Sequence, residues 1–285
     1  MNNARKNKIK NDVFKVWGIA CTLIGLILLA IFLGDIIMDG VTRIDWDFIT
    51  SLPSRKPEKA GIWTAMMGTA WILMLTTCIA IPLGVAAGIY LEEYAGKSWL
   101  ANLLEINISN LAGVPSIIYG LLGLEVFVRL MNLGASVLAG SLTLSLLILP
   151  IIIVATRESI KAVPSTIKEA AFAMGATKWQ TIWTQILPAS LGGILTGVIL
   201  AISRAIGETA PLIVIGALAY VPFAPLSPMD EFSVLPIQIF NWASRPQHGF
   251  IENAAAAIII LLIFTFVMNG IAVYFRNKWQ KKIKW

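Results

Sequence analysis

The chain has 285 residues, of which 57% are hydrophobic and only 13% are charged, and its mean hydropathy is +0.78. About a quarter of the residues in a soluble domain are charged, so this composition excludes a soluble domain and also a disordered chain. Cys21 and Cys78 both lie in apolar runs, and His248 is the single histidine, which argues against a disulfide scaffold and a metal site. These properties indicate an all-α, polytopic membrane protein.

The charge-free stretches predict six membrane-spanning helices, because a span needs about 20 apolar residues. The predicted spans are 16–36, 63–90, 106–128, 136–156, 191–217 and 253–275, with basic tails at 1–15 and 276–285. The fifth span joins two apolar runs that are separated only by residues 204–208, too few for a loop that leaves the membrane and returns. We therefore predict one continuous helix there, with Arg204 and Glu208 near its middle.

The placement of lysine and arginine predicts how the chain is oriented, because these residues resist translocation. If the N-terminus is cytoplasmic, 15 basic residues lie inside and 6 outside, and Arg204 alone stays in the membrane. Both termini and the long loop 157–190 are then cytoplasmic. The basic ends suit an anionic inner leaflet, so the net charge of +6 requires no nucleic acid partner.

Prolines lie inside four of the predicted spans, at Pro82, Pro115, Pro150 and Pro211. Each removes a backbone donor and is predicted to kink its helix. Lipid tolerates such a kink where neighbouring groups or a cavity satisfy the freed carbonyl. A single kink is ordinary in a membrane helix, whereas four together carry more weight as a sign of a cavity.

Arg204 and Glu208 form the sharpest chemical signal in the chain. An arginine at the centre of a spanning helix costs about 2.5–3.5 kcal/mol on insertion scales, so it must face protein or water. Two residues four positions apart share a helix face and can pair. The pair is either an internal tie between helices or part of a solute path, and we favour the path because intramembrane charges usually mark one. A guanidinium binds oxyanions through two parallel hydrogen bonds, which predicts an anionic solute.

A short amphipathic helix is predicted within the loop 157–190. Thr166 and Glu169 fit a capping box at its start, and Gly175 can end it in a left-handed conformation. Its apolar face consists of Ile167, Ala170, Ala171 and Met174. This face is covered either by a groove on a partner subunit or by the chain's own spans and the lipid surface.

The same loop carries a second pattern, which consists of Glu169, Ala170, Ala171, Gly175, Leu187 and Pro188. Their spacing resembles the EAA loop of the permease subunits of bacterial ABC importers. One position departs from the pattern, because Gln185 stands where the family has isoleucine. The resemblance implies the type I importer permease fold and a motif that docks on an ATPase.

Three further stretches resemble the A-type permease subunit of phosphate-specific ABC importers. They are LAGVPSIIYGLLG at 111–123, RAIGETA at 204–210 and LPIQIFNWASRPQ at 235–247, and the resemblance runs from about residue 61 onward. It implies that Arg204, Glu208 and the adjacent Thr209 line a phosphate route. It also implies a place in the bacterial inner membrane and four kinds of partner: the lipid bilayer, a homologous C-type permease, two cytoplasmic ATP-binding subunits and an external phosphate-binding protein.

The residues themselves indicate no catalytic role. Gly96, Lys97 and Ser98 imitate the end of a phosphate-binding loop, but Leu91 occupies the position of its first glycine. The chain is therefore predicted to carry no cofactor, and ATP with Mg²⁺ would be hydrolysed by the partner ATPase. A permease for another oxyanion, such as sulfate or molybdate, and a secondary anion transporter working alone remain the alternatives.

Overall fold

A computed structural model describes residues 2–96, 98–217 and 220–280 of the chain. Within these ranges the chain is helical apart from connecting segments and one isolated antiparallel bridge between Ser136 and Glu231. The predicted all-α class is confirmed. Lys97 and the last five residues of the predicted C-terminal tail lie outside the described residues.

Twelve α-helices make up the described chain. They are α1 (Asn2–Gly40), α2 (Trp46–Thr50), α3 (Trp63–Ile89), α4 (Trp99–Leu111), α5 (Ser116–Gly123), α6 (Val137–Lys161), α7 (Ser165–Ala173), α8 (Lys178–Thr181), α9 (Leu187–Gly207), α10 (Ala210–Ile215), α11 (Leu235–Ala243) and α12 (His248–Gln280). Wider π-helical turns extend α3 through Tyr90–Tyr94, extend α5 through Leu124–Leu130 and join α8 to α9 through Ile182–Ile186.

Five helices of the described chain are long and apolar enough to cross a membrane, and a sixth span exists if the bent pair α4 and α5 is counted as one. The predicted basic tail at 1–15 is helical over its described part, because α1 already begins at Asn2. The apolar window of α1 has no buried residue within the chain, although α1 lies along α12. A lipid or protein neighbour must therefore cover it.

Two of the four predicted kinks are in fact helix breaks. Span 106–128 divides at Pro115 into α4 and α5, which meet at an angle of 106°. Span 191–217 divides as well, because α9 ends at Gly207 and α10 carries Pro211 in its first turn. In both cases a helix ends four residues before the proline, where the ring would clash with the carbonyl. A glycine precedes each of these prolines and weakens the helix further.

Pro82 and Pro150 remain inside α3 and α6, as predicted. No glycine lies among the four residues before either proline. The helix is therefore strong enough to continue through the proline.

Close packing of α3, α6 and α9 forms the centre of the bundle. Gly84 of α3 contacts Ile152 of α6, and a Cβ on Gly84 would lie 2.7 Å from the Ile152 side chain. Three residues further along α6, Gly197 of α9 packs in the same way against Ala155. Small residues at these positions therefore let the three helices approach each other closely.

The bundle has two ends, which we name by the short helices that lie there. At the α7 end, α3 and α6 finish and Lys168 of α7 pairs with Glu93. At the α11 end, α3, α6 and α12 begin, and the backbone N–H of Leu235 donates to Thr69 Oγ1 at 2.9 Å.

Candidate functional site

Arg204 lies in the last turn of α9 rather than near the middle of a continuous helix, which corrects the sequence prediction. Its depth in the bundle follows from how α9 packs on α6. Gly197 contacts Ala155. Glu208, eleven residues after Gly197, shares a small cavity with Leu144, eleven residues before Ala155. The two helices are therefore antiparallel with a constant register, which places Arg204 opposite the midpoint of α6 (Val137–Lys161).

The predicted pairing of Arg204 with Glu208 is present. Arg204 Nε donates a hydrogen bond to Glu208 Oε1 at 3.2 Å. The Arg204 side chain is 40% exposed, whereas that of Glu208 is 16% exposed. The two Nη groups of Arg204 form no hydrogen bond with any residue that the structure describes. The guanidinium therefore keeps its outer donors available on an exposed face of the chain.

Glu208 occupies the break between α9 and α10, where its backbone is extended. Thr209 follows at the start of α10, and its hydroxyl donates weakly to the Gly207 carbonyl at 3.4 Å. The Glu208 side chain borders a cavity of about 10 Å³, which is large enough for about one water molecule. The cavity is lined by Thr69, Ile72, Leu73, Leu144, Ala205, Ile206, Leu212 and Val234.

The stretch 111–123 packs directly against the segment that carries Glu208. Gly120 of α5 approaches α10 so closely that a Cβ there would lie 2.7 Å from Pro211 Cα. The Tyr119 hydroxyl donates to the Leu111 carbonyl at 2.9 Å, which satisfies an acceptor at the end of α4 and holds the 106° bend. Two of the stretches that carry the family resemblance thus form one contact region.

A segment at residues 228–235, here called the cover segment, closes the α11 end above Glu208. Its Phe232 is fully buried, and the Val137 and Leu138 backbone N–H groups donate to the Asp230 and Pro228 carbonyls at 3.0 and 2.8 Å. Val234 lines the Glu208 cavity. Sequence reasoning missed this contact, because the segment shows neither helical nor strand periodicity.

The helix predicted in the loop 157–190 exists, but its cap differs from the prediction. α7 begins at Ser165, one residue before Thr166, and its N-cap position is Pro164 without a side-chain hydrogen bond. The capping box instead starts α8, between Thr177 and Gln180. Gly175 adopts the predicted left-handed conformation, with φ of +83°.

Only part of the apolar face of α7 is covered by the chain itself. Ile167 and Ala171 are partly buried, whereas Met174 is 88% exposed and Phe172 is 48% exposed. Glu169 and Ala170 are exposed as well. Met174 and about half of Phe172 therefore have no cover within the described chain.

Leu187 and Pro188, which lie at the end of the predicted loop 157–190, are part of a helix. The helix that contains them runs without interruption over Lys178–Gly207. The π-helical turn Ile182–Ile186 lies directly before Pro188 and accommodates the proline in the helix. Leu187 packs into the core and lines an apolar groove of about 640 Å³ between α3 and α9.

Comparison with known proteins identifies the family. Residues 80–281 match the family of binding-protein-dependent transport system inner membrane components. The chain belongs to this family. It is therefore a non-catalytic, multi-pass membrane subunit of an ABC importer, a class that works with ATPase subunits and a binding protein.

Two individual relatives match this chain over nearly its whole length. Phosphate transport system permease protein PstA of Yersinia pestis is 34% identical over 280 residues, covering 94% of this chain and 91% of that protein. The probable ABC transporter permease protein YqgI of Bacillus subtilis (strain 168) is 31% identical over 280 residues, covering 93% and 94%. The predicted resemblance to A-type phosphate permeases is thereby confirmed.

A solved structure supports the fold of the importer subunit. It is a crystal structure of a bacterial ABC transporter involved in the import of the acidic polysaccharide alginate, with a TM-score of 0.62 and 14% identity. The match covers 98% of this chain and all of that one. The type I importer permease fold predicted from the sequence is confirmed.

Proposed function

We propose that this importer subunit is the A-type permease of an ATP-driven inorganic phosphate importer and forms half of its translocation path. The observation that carries the proposal is the Arg204 guanidinium at mid-depth of the bundle, half-exposed and with its Nη donors unused among the described residues. A guanidinium presents these donors in a planar fork that matches two oxygens of a phosphate. The identity to PstA of Yersinia pestis supports phosphate as the anion.

Glu208 supplies a competing partner for the same guanidinium. An unpaired arginine in a low-dielectric path would hold an anion too strongly to release it. The Glu208 carboxylate already accepts from Arg204 Nε, so it can retake the guanidinium as the anion leaves. Thr209 lies beside this pair and offers a hydroxyl to the same path.

The exposed face of α9 supports a path shared between two permeases. Arg204 lies on it together with Leu200 and Gly207, both of which are exposed. A charged side chain is not stable against lipid, so this face must meet protein or water. We expect the homologous C-type permease to supply the other wall.

The exposed part of α7 suits a contact with an ATPase. Met174 and Phe172 offer a small apolar surface at the tip of the α7 end, typical of a helix that docks in a groove. Glu169, Ala170, Ala171 and Gly175 surround it, whereas Leu187 and Pro188 would act from within the long helix Lys178–Gly207, which leads from the α7 end to Arg204. This role requires the α7 end to face the cytoplasm, as the distribution of basic residues predicts.

Transport by the reconstituted complex tests the proposal. The chain would be co-expressed with a homologous C-type permease, an ATPase subunit and a phosphate-binding protein, purified in mild detergent and placed in lipid vesicles. We expect co-purification of a second permease and an ATPase, and ATP-dependent uptake of radiolabelled phosphate in preference to sulfate and molybdate. Preferred uptake of sulfate or molybdate would replace the proposed substrate, and phosphate uptake by this chain alone without ATP would show a secondary transporter.

A further inference from the structure

Two adjacent glutamates lie at the end of the helix that contains α3, and their carboxylates pair with two different helices. Glu92 and Glu93 both lie in the π-helical turn Tyr90–Tyr94. Glu93 pairs with Lys168 of α7, and Glu92 pairs with Arg157 of α6. The end of α3 is therefore bound by charge to α7 on one side and to the bundle on the other.

The Glu93–Lys168 pair is well shielded from water. The Glu93 side chain is 9% exposed and that of Lys168 is 26% exposed. An ion pair in such a place is little screened by salt, and removal of one partner leaves a buried charge unpaired. No residue of α7 is fully buried, and only Ile167, Lys168 and Ala171 are partly buried. The pair is thus the strongest polar contact of α7 with the bundle among the described residues.

Arg157 joins three helices at the same level. It lies 3.5 Å from Glu92 and 3.0 Å from Glu105 of α4, and its side chain is 11% exposed. Its Nε is buried without a hydrogen-bond partner in the described chain. A force applied to Glu92 therefore reaches both α6 and α4 through one guanidinium.

The continuous helix Trp63–Tyr94 connects this charged cluster with the α11 end. It has 32 residues and is about 48 Å long at 1.5 Å per residue. Thr69, near its other end, accepts a hydrogen bond from Leu235 N at 2.9 Å. Gly68 is in backbone contact with Ser233, so a Cβ there would lie 2.0 Å from the Ser233 carbonyl oxygen. One continuous helix thus contacts α7 at one end and the cover segment at the other.

We infer that the Lys168–Glu93 pair is the joint through which a displacement of α7 moves α3 and, through it, the cover segment above Arg204 and Glu208. Lys168 is a positioning residue in this inference, since it touches neither the anion nor the nucleotide. The inference rests on the proposed docking of an ATPase on α7. It goes further by naming the side-chain contact that transmits the movement.

Charge reversal in the reconstituted complex tests this joint. Lys168→Glu and Glu93→Lys are each expected to lower phosphate transported per ATP hydrolysed by about two- to thirtyfold, the range of measured coupling energies. The double variant restores the opposite charges and is expected to recover most of that ratio. A matched control is the exposed pair of Arg129 and Glu125, 3.0 Å apart, whose reversal should leave the ratio unchanged.

The outcomes separate the joint from the proposed function. Single variants that keep the parental ratio, or a double variant that stays uncoupled, would overturn the joint. If the parental complex preferred sulfate or molybdate, the same ratio would be measured with that anion. If a reversed variant failed to assemble, Lys168→Arg and Lys168→Met would decide the matter, since only the arginine variant should remain coupled.

Discussion

Arg204 Nε lies 3.2 Å from Glu208 Oε1 across the end of a helix, because α9 finishes at Gly207 between them. The two residues are therefore not held at a fixed separation on the face of one continuous helix. Glu208 sits on extended backbone beside α10, and a movement of that short helix would change the separation of the two charges. This arrangement suits a guanidinium that must exchange one partner for another.

Arg204→Lys is expected to lower ATP-dependent phosphate uptake about ten- to a hundredfold, because a charge-assisted hydrogen bond contributes about 1.5–3 kcal/mol and an ammonium lacks the planar fork. Initial uptake rates in vesicles would measure the effect. Arg129→Lys, in an exposed pair of the same residue types, is the control and should transport normally. Parental uptake by a correctly inserted Arg204→Lys variant would contradict a direct role in the path.

Glu208→Gln should act differently, by removing the negative charge that competes with the anion. Phosphate is then held more tightly at Arg204, so we expect a lower maximum rate together with a lower phosphate concentration at half-maximal uptake. Glu125→Gln supplies the control. A Glu208→Gln variant with an unchanged maximum rate would leave Glu208 as a structural partner only.

Met174→Asp should weaken binding of the ATPase. The side chain is 88% exposed at the tip of α7, and a central apolar contact of an interface contributes more than about 1 kcal/mol, which is at least about a fivefold change in affinity. Co-purification of the ATPase at increasing dilution measures this change. Leu226→Asp, equally exposed at the α11 end, is the control. Equal loss of the ATPase from both variants would argue against docking at α7.

Gly175→Ala is expected to uncouple transport, whereas Gly175→Asn should be tolerated. The backbone at this position has φ of +83°, a left-handed conformation that costs alanine about 1 kcal/mol and that asparagine adopts more readily. The measured quantity is phosphate transported per ATP hydrolysed. Similar behaviour of the two variants would show that the end of α7 is not held in this conformation when the ATPase is bound.

Gly68→Ala should loosen the cover segment. The added Cβ would meet the Ser233 carbonyl oxygen, and overpacking of this kind costs about 1–3 kcal/mol. Thermal unfolding in detergent, followed by tryptophan fluorescence, should show a lower midpoint. Gly18→Ala has nothing within 4 Å and serves as the control. An unchanged midpoint for Gly68→Ala would mean that the segment does not pack against α3 as described.

The sequence by itself determined the features that arise within a single helix or turn. Hydropathy predicted the spans, because each helix must individually satisfy its backbone in lipid. The spacing of Gly175 after α7 predicted a left-handed cap, since only a residue without Cβ adopts it freely. The helix breaks at residues 112–115 and 208–209 were also readable in principle, because each has glycine followed by proline within one turn.

Only the tertiary structure decided the depth of Arg204, the closure above Glu208 and the contact of Lys168 with Glu93. The depth depends on an antiparallel register between α6 and α9 that small residues at Gly197 and Ala155 set by close approach. Lys168 and Glu93 are 75 residues apart in the chain. No periodicity within one segment encodes such pairings, because they arise from how separate helices fit against each other.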